Sequence, residues 1–227
     1  MPRGSADLAL VRLLHLASPV LPVGAYTYSQ GLEWAVEEGT VGDEDSALSW
    51  IGDCLRWGIA RFEAPYLAAM LRAWAAGDRE VLASLDAEFL SSRETAESRA
   101  ESLQMGHSLA RLLGDLPGFP AARLASFLPC SFPLAWSCAA AAWEIPATDA
   151  LAAYLWAWCE NQVMAAVKAV PLGQTAGQRL LLALGDRIPA LAAVAEATAP
   201  GEAANFLPGL AIAGSRHETQ YSRLFRS

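Results

Sequence analysis

Lysine is almost missing from this chain: of its 16 basic residues all but Lys168 are arginine. Against 24 acidic residues they leave a formal net charge of −8. That balance excludes a polybasic membrane patch and the phosphate-neutralising face that sequence-independent nucleic-acid binding needs. Paired cysteines are also missing. Cys54, Cys130, Cys138 and Cys159 are far apart with no Cys-x-x-Cys among them, which argues against a closed zinc site or a thioredoxin-like motif. They read as buried small hydrophobes of a reducing compartment. No segment alternates apolar and polar residues as a half-buried strand does, and there is no internal repeat or low-complexity run. Charged residues make up only 18% of the 227 and hydrophobic ones 54%, which excludes a disordered chain.

Two apolar stretches invite a membrane reading. Leu8–Leu21 looks like a signal peptide, but Arg12 and His15 interrupt its apolar core; a cytoplasmic protein is expected. Residues 124–143 carry no charge and are long enough to span a bilayer. Pro129 and Pro133, with Ser126, Ser131, Ser137 and many alanines, instead suggest a buried turn leading into a core helix.

What is abundant is alanine, about a fifth of the chain and the strongest helix former. A first helix is expected after Asp7 as cap, ending before Pro19. A second is expected over Tyr26–Glu38, closed by Gly39. A third begins at Asp43, Glu44 and Asp45, where the helix dipole favours negative charge. Further helices fit 63–76, 78–91, 94–113, 134–143, 148–168, 175–185 and 188–198. The fold class is therefore all-α: a single, bundle-like domain of about ten helices.

Four segments stand out. Leu21–Glu33 holds a tight Pro22–Gly24 turn, two tyrosines, Gln30, and Gly31, which lets another backbone approach closely. In Ser92–Gly106, Arg93 and Glu97 are four apart and can pair on one helix face; mixed charge of this kind most often marks a solvated face. Glu160–Gln178 sets Glu160, Asn161, Gln162 and Lys168 in an apolar, Trp-rich helix, where a lone lysine can simply snorkel. The Gly-rich turn that follows lacks the Gly-Lys-Ser/Thr ending of a P-loop. The C-terminal segment Arg216–Ser227 begins His217-Glu218 but lacks the second histidine of a zinc-protease helix. It carries three arginines against one glutamate, whereas residues 1–50 carry two arginines against seven acids. Its aromatic, arginine and apolar residues are of the kind that anchor interfaces, so docking on this chain or on a partner is expected. His15, His107 and His217 have no Cys or His neighbour at ligand spacing, so no metal ligand is assigned.

Together, in order and spacing, these four segments closely resemble the UreF family of urease accessory proteins; Tyr221-Ser222-Arg223-Leu224-Phe225 is the most specific part. The resemblance implies an all-α, non-catalytic scaffold required for maturation of the nickel centre of urease. It implies a homodimer that binds the accessory protein UreD/UreH, recruits the GTPase UreG and docks on apo-urease. It implies no tightly bound cofactor, nickel at most passing through in transit. The partner-binding residues it suggests are Tyr26, Tyr28, Gln30, Glu33 and Lys168, with Arg216, His217, Glu218, Gln220, Tyr221, Arg223, Leu224 and Phe225 of a docking tail over 212–227. Arg223 is expected near Tyr26, holding the tail on the first motif. Two alternatives stay open. One is a helical metal-dependent enzyme using Glu94, Glu97, Glu101 and His107; the other is a regulator that binds a ligand in its Trp-rich interior.

Overall fold

The computed structural model describes residues 3–227, with side chains described from Asp7 onward. Among these residues there is no strand. The helices are α1 (Arg3–Leu16), α2 (Leu32–Glu37), α3 (Glu44–Asp53), α4 (Ala64–Ala76), α5 (Arg79–Ser91), α6 (Ala96–Asp115), α7 (Ala122–Ala125), α8 (Phe132–Ala142), α9 (Ala147–Ala169), α10 (Gln174–Gly185), α11 (Ile188–Ala197) and α12 (Pro208–His217). A π-helical segment, Cys54–Glu63, joins α3 to α4 without a break. The all-α single domain expected from periodicity is what forms.

The centre is built from α4, α8 and α9. In α4, ten of thirteen residues are buried, around its whole circumference, as befits a helix that is apolar on every side. α8 packs between α4 and α6, and α9 touches α1, α2, α3, α4, α10 and α11. Small side chains make that crowding feasible: Ala135, Ala139, Ala140, Ala150 and Ala166 have no exposed surface. Where α6 crosses the start of α8, even a methyl is too much, because a Cβ on Gly106 would lie 2.2 Å from the Cys130 carbonyl oxygen. Trp136 and Tyr154 meet edge to face, with ring centroids 5.3 Å apart, locking α8 to α9.

Caps set most of the boundaries. Asp43 and Ser46 form a capping box at α3, Thr95 and Ser98 one at α6, and the Ser131 hydroxyl accepts from the Leu134 amide at α8, each satisfying amides that the helix leaves unpaired. The charge-free stretch 124–143 is α7, a turn and α8; among the described residues no helix is long and apolar enough to cross a membrane.

Several expectations change. α1 begins at Arg3, so Asp7 lies inside it and caps nothing. Tyr26–Glu38 is not one helix. Gln30 at φ 53° and Gly31 at φ 82° are both left-handed, which no α-helix tolerates, so the segment splits into a 3₁₀ turn over Ala25–Thr27 and the short α2. Gly39, at φ 78°, closes α2 as expected. α10 begins at Gln174, with Gly173 ahead of its first turn. The docking tail begins inside a helix, since α12 runs to His217.

Gly106→Ala is expected to lower the free energy of unfolding by about 1–3 kcal/mol. Urea denaturation followed by circular dichroism reads this as a lower midpoint with an unchanged slope.

Candidate functional site

The first motif forms a corner that turns the chain from α1 into α2. Gly24 (φ 80°) opens it, and the Thr27 hydroxyl donates to the Gly24 carbonyl at 2.8 Å. At Gln30 a non-glycine residue is held left-handed, a conformation that persists only where surroundings enforce it. Its side chain shows what does so: Nε2 donates to Glu101 Oε1 at 2.6 Å, and Oε1 accepts from Trp158 Nε1 at 2.6 Å. Gly31 serves the close approach its type suggested. A Cβ there would sit 3.0 Å from Ala213 Cβ and 3.1 Å from the Gly214 nitrogen, so α12 crosses directly over this corner.

That crossing delivers His217, which has no exposed surface, between two carboxylates. Its Nδ1 is 2.9 Å from Glu97 Oε2 and its Nε2 is 3.3 Å from Glu33 Oε2. Glu33, itself buried, then receives the main chain of the tail: the Leu224 amide donates to Oε1 at 2.6 Å and the Phe225 amide to Oε2 at 3.0 Å. Arg223 pairs with Glu97 at 2.5 Å. The Glu218 carboxylate accepts from the Glu97 amide at 3.2 Å, placing an anion at the N-terminus of α6, where the helix dipole favours it. Farther along, the Arg226 amide donates to the Thr27 carbonyl at 2.8 Å, and the main-chain oxygen of Ser227 accepts from the amides of Ser29 and Gln30 at 2.6 and 2.8 Å. The Ser29 hydroxyl adds a third donor at 2.6 Å. Residues 218–227 are thus a strap fixed along the first motif.

Beneath the strap lies a cavity of about 160 Å³ whose lining includes Gln30, Glu63, Glu101, Trp158 and Gln162. Arg93 pairs with Glu63 at 2.6 Å, and the Tyr154 hydroxyl donates to the other Glu63 oxygen at 2.9 Å. The Arg93 guanidinium also stacks over Phe89 and Phe62, at 4.5 and 5.1 Å from the ring centroids. Burial, reinforced by Glu63 and its hydrogen bond, raises the Tyr154 phenol well above its ordinary range. Glu101 is held by Gln30 and, through Oε2, by the Ser227 hydroxyl at 2.9 Å. Desolvation dominates there, and despite those two hydrogen bonds its carboxyl is pushed up to about 7. All four cysteines are buried and unbridged; burial raises their thiols to about 12, which leaves no reactive thiolate.

The structure brings most of the residues singled out in the sequence to one place. Glu33, His217 and Phe225 are buried and act within the chain as anchors of the strap. Tyr28 donates to Gln104 Oε1 at 2.6 Å, and Gln220 bonds to Glu37. Tyr26, Tyr221, Leu224, Arg216 and Lys168 are exposed. The Lys168 ammonium lies 6.0 Å from the Tyr26 ring and 5.9 Å from the Phe225 ring. Arg223 does not reach for Tyr26; Glu97 takes it. Nor does Arg93 pair with Glu97, because Thr95 caps α6 from an extended conformation and leaves Arg93 ahead of the helix, facing Glu63. The face of α6 read as solvated therefore carries the strap. The acidic cluster of a hydrolytic reading is not assembled: Glu97 and Glu101 face the strap, and His107 is exposed farther along α6. Sequence reasoning missed Glu63, Ser29 and Tyr154. Glu63 had one signal, a lone carboxylate in the apolar run from Ile59 to Met70.

Two variants probe this interior. Arg93→Ala strands a mostly buried Glu63 and is expected to cost about 3 kcal/mol of stability, with Glu63→Gln/Arg93→Ala recovering part of it in urea denaturation. Glu101 has a folded-state carboxyl raised above its ordinary 4.5. Its contribution is therefore fully present below about pH 4.5 and lost as pH rises to about 7, on the order of 3 kcal/mol in all. Glu101→Gln is expected to flatten stability over that window, as measured by denaturation at a series of pH values.

Comparison with known proteins identifies the family. The family model for UreF matches residues 41–185. A protein of Azoarcus sp. (strain BH72) named urease accessory protein UreF is 64% identical over 225 residues, covering 97% of this chain and 96% of that protein. Proteins of the same name from Dechloromonas aromatica (strain RCB) and Methylobacillus flagellatus are 58% and 53% identical, covering 97% and 98% of the chain and 98% and 100% of the relatives. Over nearly its whole length the chain thus matches accessory proteins rather than enzymes, and it belongs to the UreF family.

Proposed function

We propose that this protein is a non-catalytic scaffold in maturation of the nickel centre of urease, joining a UreD/UreH-type accessory protein to the GTPase UreG while nickel, as cargo, is passed to apo-urease. The observation that carries this reading is the docked strap. Buried groups hold its main chain, and it turns outward Tyr221, fully exposed, and Leu224, 75% exposed. These join Tyr26 and the amphipathic edge made by Lys168 over Tyr26 and Phe225. A rigidly backed patch of aromatic, apolar and basic side chains is the composition of a protein-binding hot spot, and pre-ordering the strap lowers the entropy lost on binding.

A second surface supports a homodimer and further accessory contacts. On α1, Leu8, Leu10, Val11 and Leu14 are 51–63% exposed and share one side of the helix. Such a stripe is more apolar than a solitary monomer usually presents, and two-fold pairing is the commonest way to cover one. The four buried free thiols fit assembly in the cytoplasm.

Deleting 216–227 would also unseat His217 and uncover Glu33, so surface changes test the reading more cleanly. Tyr221→Ala/Leu224→Ala is expected to fold normally yet retain about a tenth or less of the co-purifying GTPase. Lys168→Ala is expected to lower urease activation with unchanged thermal stability. Undiminished recruitment by the double variant defeats the assignment of this face.

A further inference from the structure

The π-helical segment Cys54–Glu63 buries one side, which supplies Glu63 to the polar interior. Its other side carries Arg56, Trp57 and Arg61, all exposed. The winding explains why these three meet. Hydrogen bonds of a π-helix run i→i+5 rather than i→i+4, and such turns are rare and frequent at functional sites. Residues five apart therefore come onto one face, whereas on an α-helix only those three and four apart do. Both guanidiniums thus reach the same indole: Cζ of Arg56 and of Arg61 lies 4.4 and 5.7 Å from the Trp57 ring centroid. Among the described residues neither is paired with a carboxylate, unlike Arg93, Arg179 and Arg223. Two unpaired cations over one aromatic ring are conspicuous in a chain of net charge −8.

A second aromatic side chain is presented beside this segment. The loop before α12 is pinned on both sides of Phe206. The Ala204 amide donates to the Arg61 carbonyl at 3.1 Å, and Asn205 Nδ2 donates to the Ser92 carbonyl at 3.2 Å. Leu207 packs so closely on Gly58 that a Cβ there would lie 2.8 Å from Leu207 Cδ1. Phe206 is nevertheless 80% exposed, and Trp57 40%. Large apolar groups held outward by a fastened backbone raise the free energy of the lone chain and lower the ordering cost of a complex.

We propose that Arg56, Trp57, Arg61 and Phe206 form a docking surface for an acidic segment of another protein, with carboxylates for the two guanidiniums and an apolar side chain for the indole edge and Phe206. Charge complementarity selects this occupant, because a guanidinium fork matches a carboxylate in shape as well as sign. Two other occupants fit less well. A nucleotide base stacks on an open aromatic face, and it would have to displace guanidiniums that already lie over Trp57. A second copy of this chain offers two modes. Pairing the surface with itself brings four guanidiniums together. Pairing it with the exposed acids Glu37, Glu38, Asp43 and Asp45 is head to tail, which builds rings or filaments rather than a two-fold dimer. The surface lies on other segments than the strap face, and its assignment does not depend on that reading.

NMR titration of the full chain tests it, with the synthetic peptide Glu-Leu-Glu-Glu-Phe-Glu as probe and the Trp57 indole N–H as readout. The expected result is a saturable shift of that resonance while the buried Trp136 indole stays in place. The neutral counterpart Gln-Leu-Gln-Gln-Phe-Gln is expected to bind about tenfold more weakly or worse, and added salt to weaken the acidic peptide alone. Arg56→Gln/Arg61→Gln alters exposed side chains only; it is expected to keep the thermal midpoint and to lose about tenfold in affinity for the acidic peptide. Phe206→Ala is expected to weaken both peptides. A Trp57 resonance unmoved at about 1 mM acidic peptide, or moved equally by the neutral one, overturns the proposal. ATP that shifts Trp57 where the acidic peptide does not reassigns the surface to nucleotides and overturns it too. So does sedimentation showing self-association of the wild type that the double arginine variant abolishes, which would make a second copy the occupant. Loss of GTPase recruitment by the strap face leaves this surface untouched, since the peptide is read on the isolated chain.

Discussion

The carboxylate of Glu33 is the point on which this end of the molecule depends. It sits on the first turn of a six-residue helix, a helix too short to persist alone in water, and it accepts from the Leu224 and Phe225 amides with His217 Nε2 3.3 Å away. α2 is therefore fixed by the strap as much as the strap by α2. Remove that acceptor and the Leu224 and Phe225 amides lose their partner, leaving Glu97 alone to hold His217, Arg223 and Glu218 beside the crossing of α12 over Gly31. Hydrogen bonds to charged groups contribute more than neutral ones, so the Leu224 and Phe225 amides on Glu33 tie α2 to the strap more firmly than amide–carbonyl contacts would.

The interior is arranged so that polar groups neutralise one another in sequence from the surface inward. Arg223 answers Glu97, with the His217 ring between Glu97 and Glu33; below them Arg93 answers Glu63, and Tyr154 completes it. Only Glu101, deepest in the row, lacks a cation. An apolar core of the same shape would have been simpler and no less stable, since buried ion pairs seldom repay their desolvation. What the polar row adds is specificity of seating: the Leu224, Phe225 and Arg226 amides and the Ser227 hydroxyl each meet one defined acceptor.

Much of this was legible in the sequence for reasons that are local. Alanine content and three-to-four spacing mark α4, α8 and α9 because each is buried over most of its surface, and Gly39 marks the end of α2 because few other residues enter the left-handed region. The close approach at Gly31 was legible as a glycine flanked by polar aromatics. What escaped is non-local. That Arg93 turns to Glu63, thirty residues away, follows from where Thr95 caps α6. That Arg223 prefers Glu97 to Tyr26 follows from how α12 crosses α2. The break at Gln30 escaped because glutamine is a good helix former, and only Glu101 and Trp158 together hold it left-handed. His217, read as an interface residue from its motif, lies buried at the end of α12, where the strap begins.

The scarcity of lysine now takes on a spatial meaning. The chain has a single side-chain amine, and its place is beside Phe225 and Tyr26, where the strap meets the corner. A reagent selective for side-chain amines marks that margin and no other position, so the protein carries its own uniquely addressable handle at the boundary between its helical body and the strap laid over it.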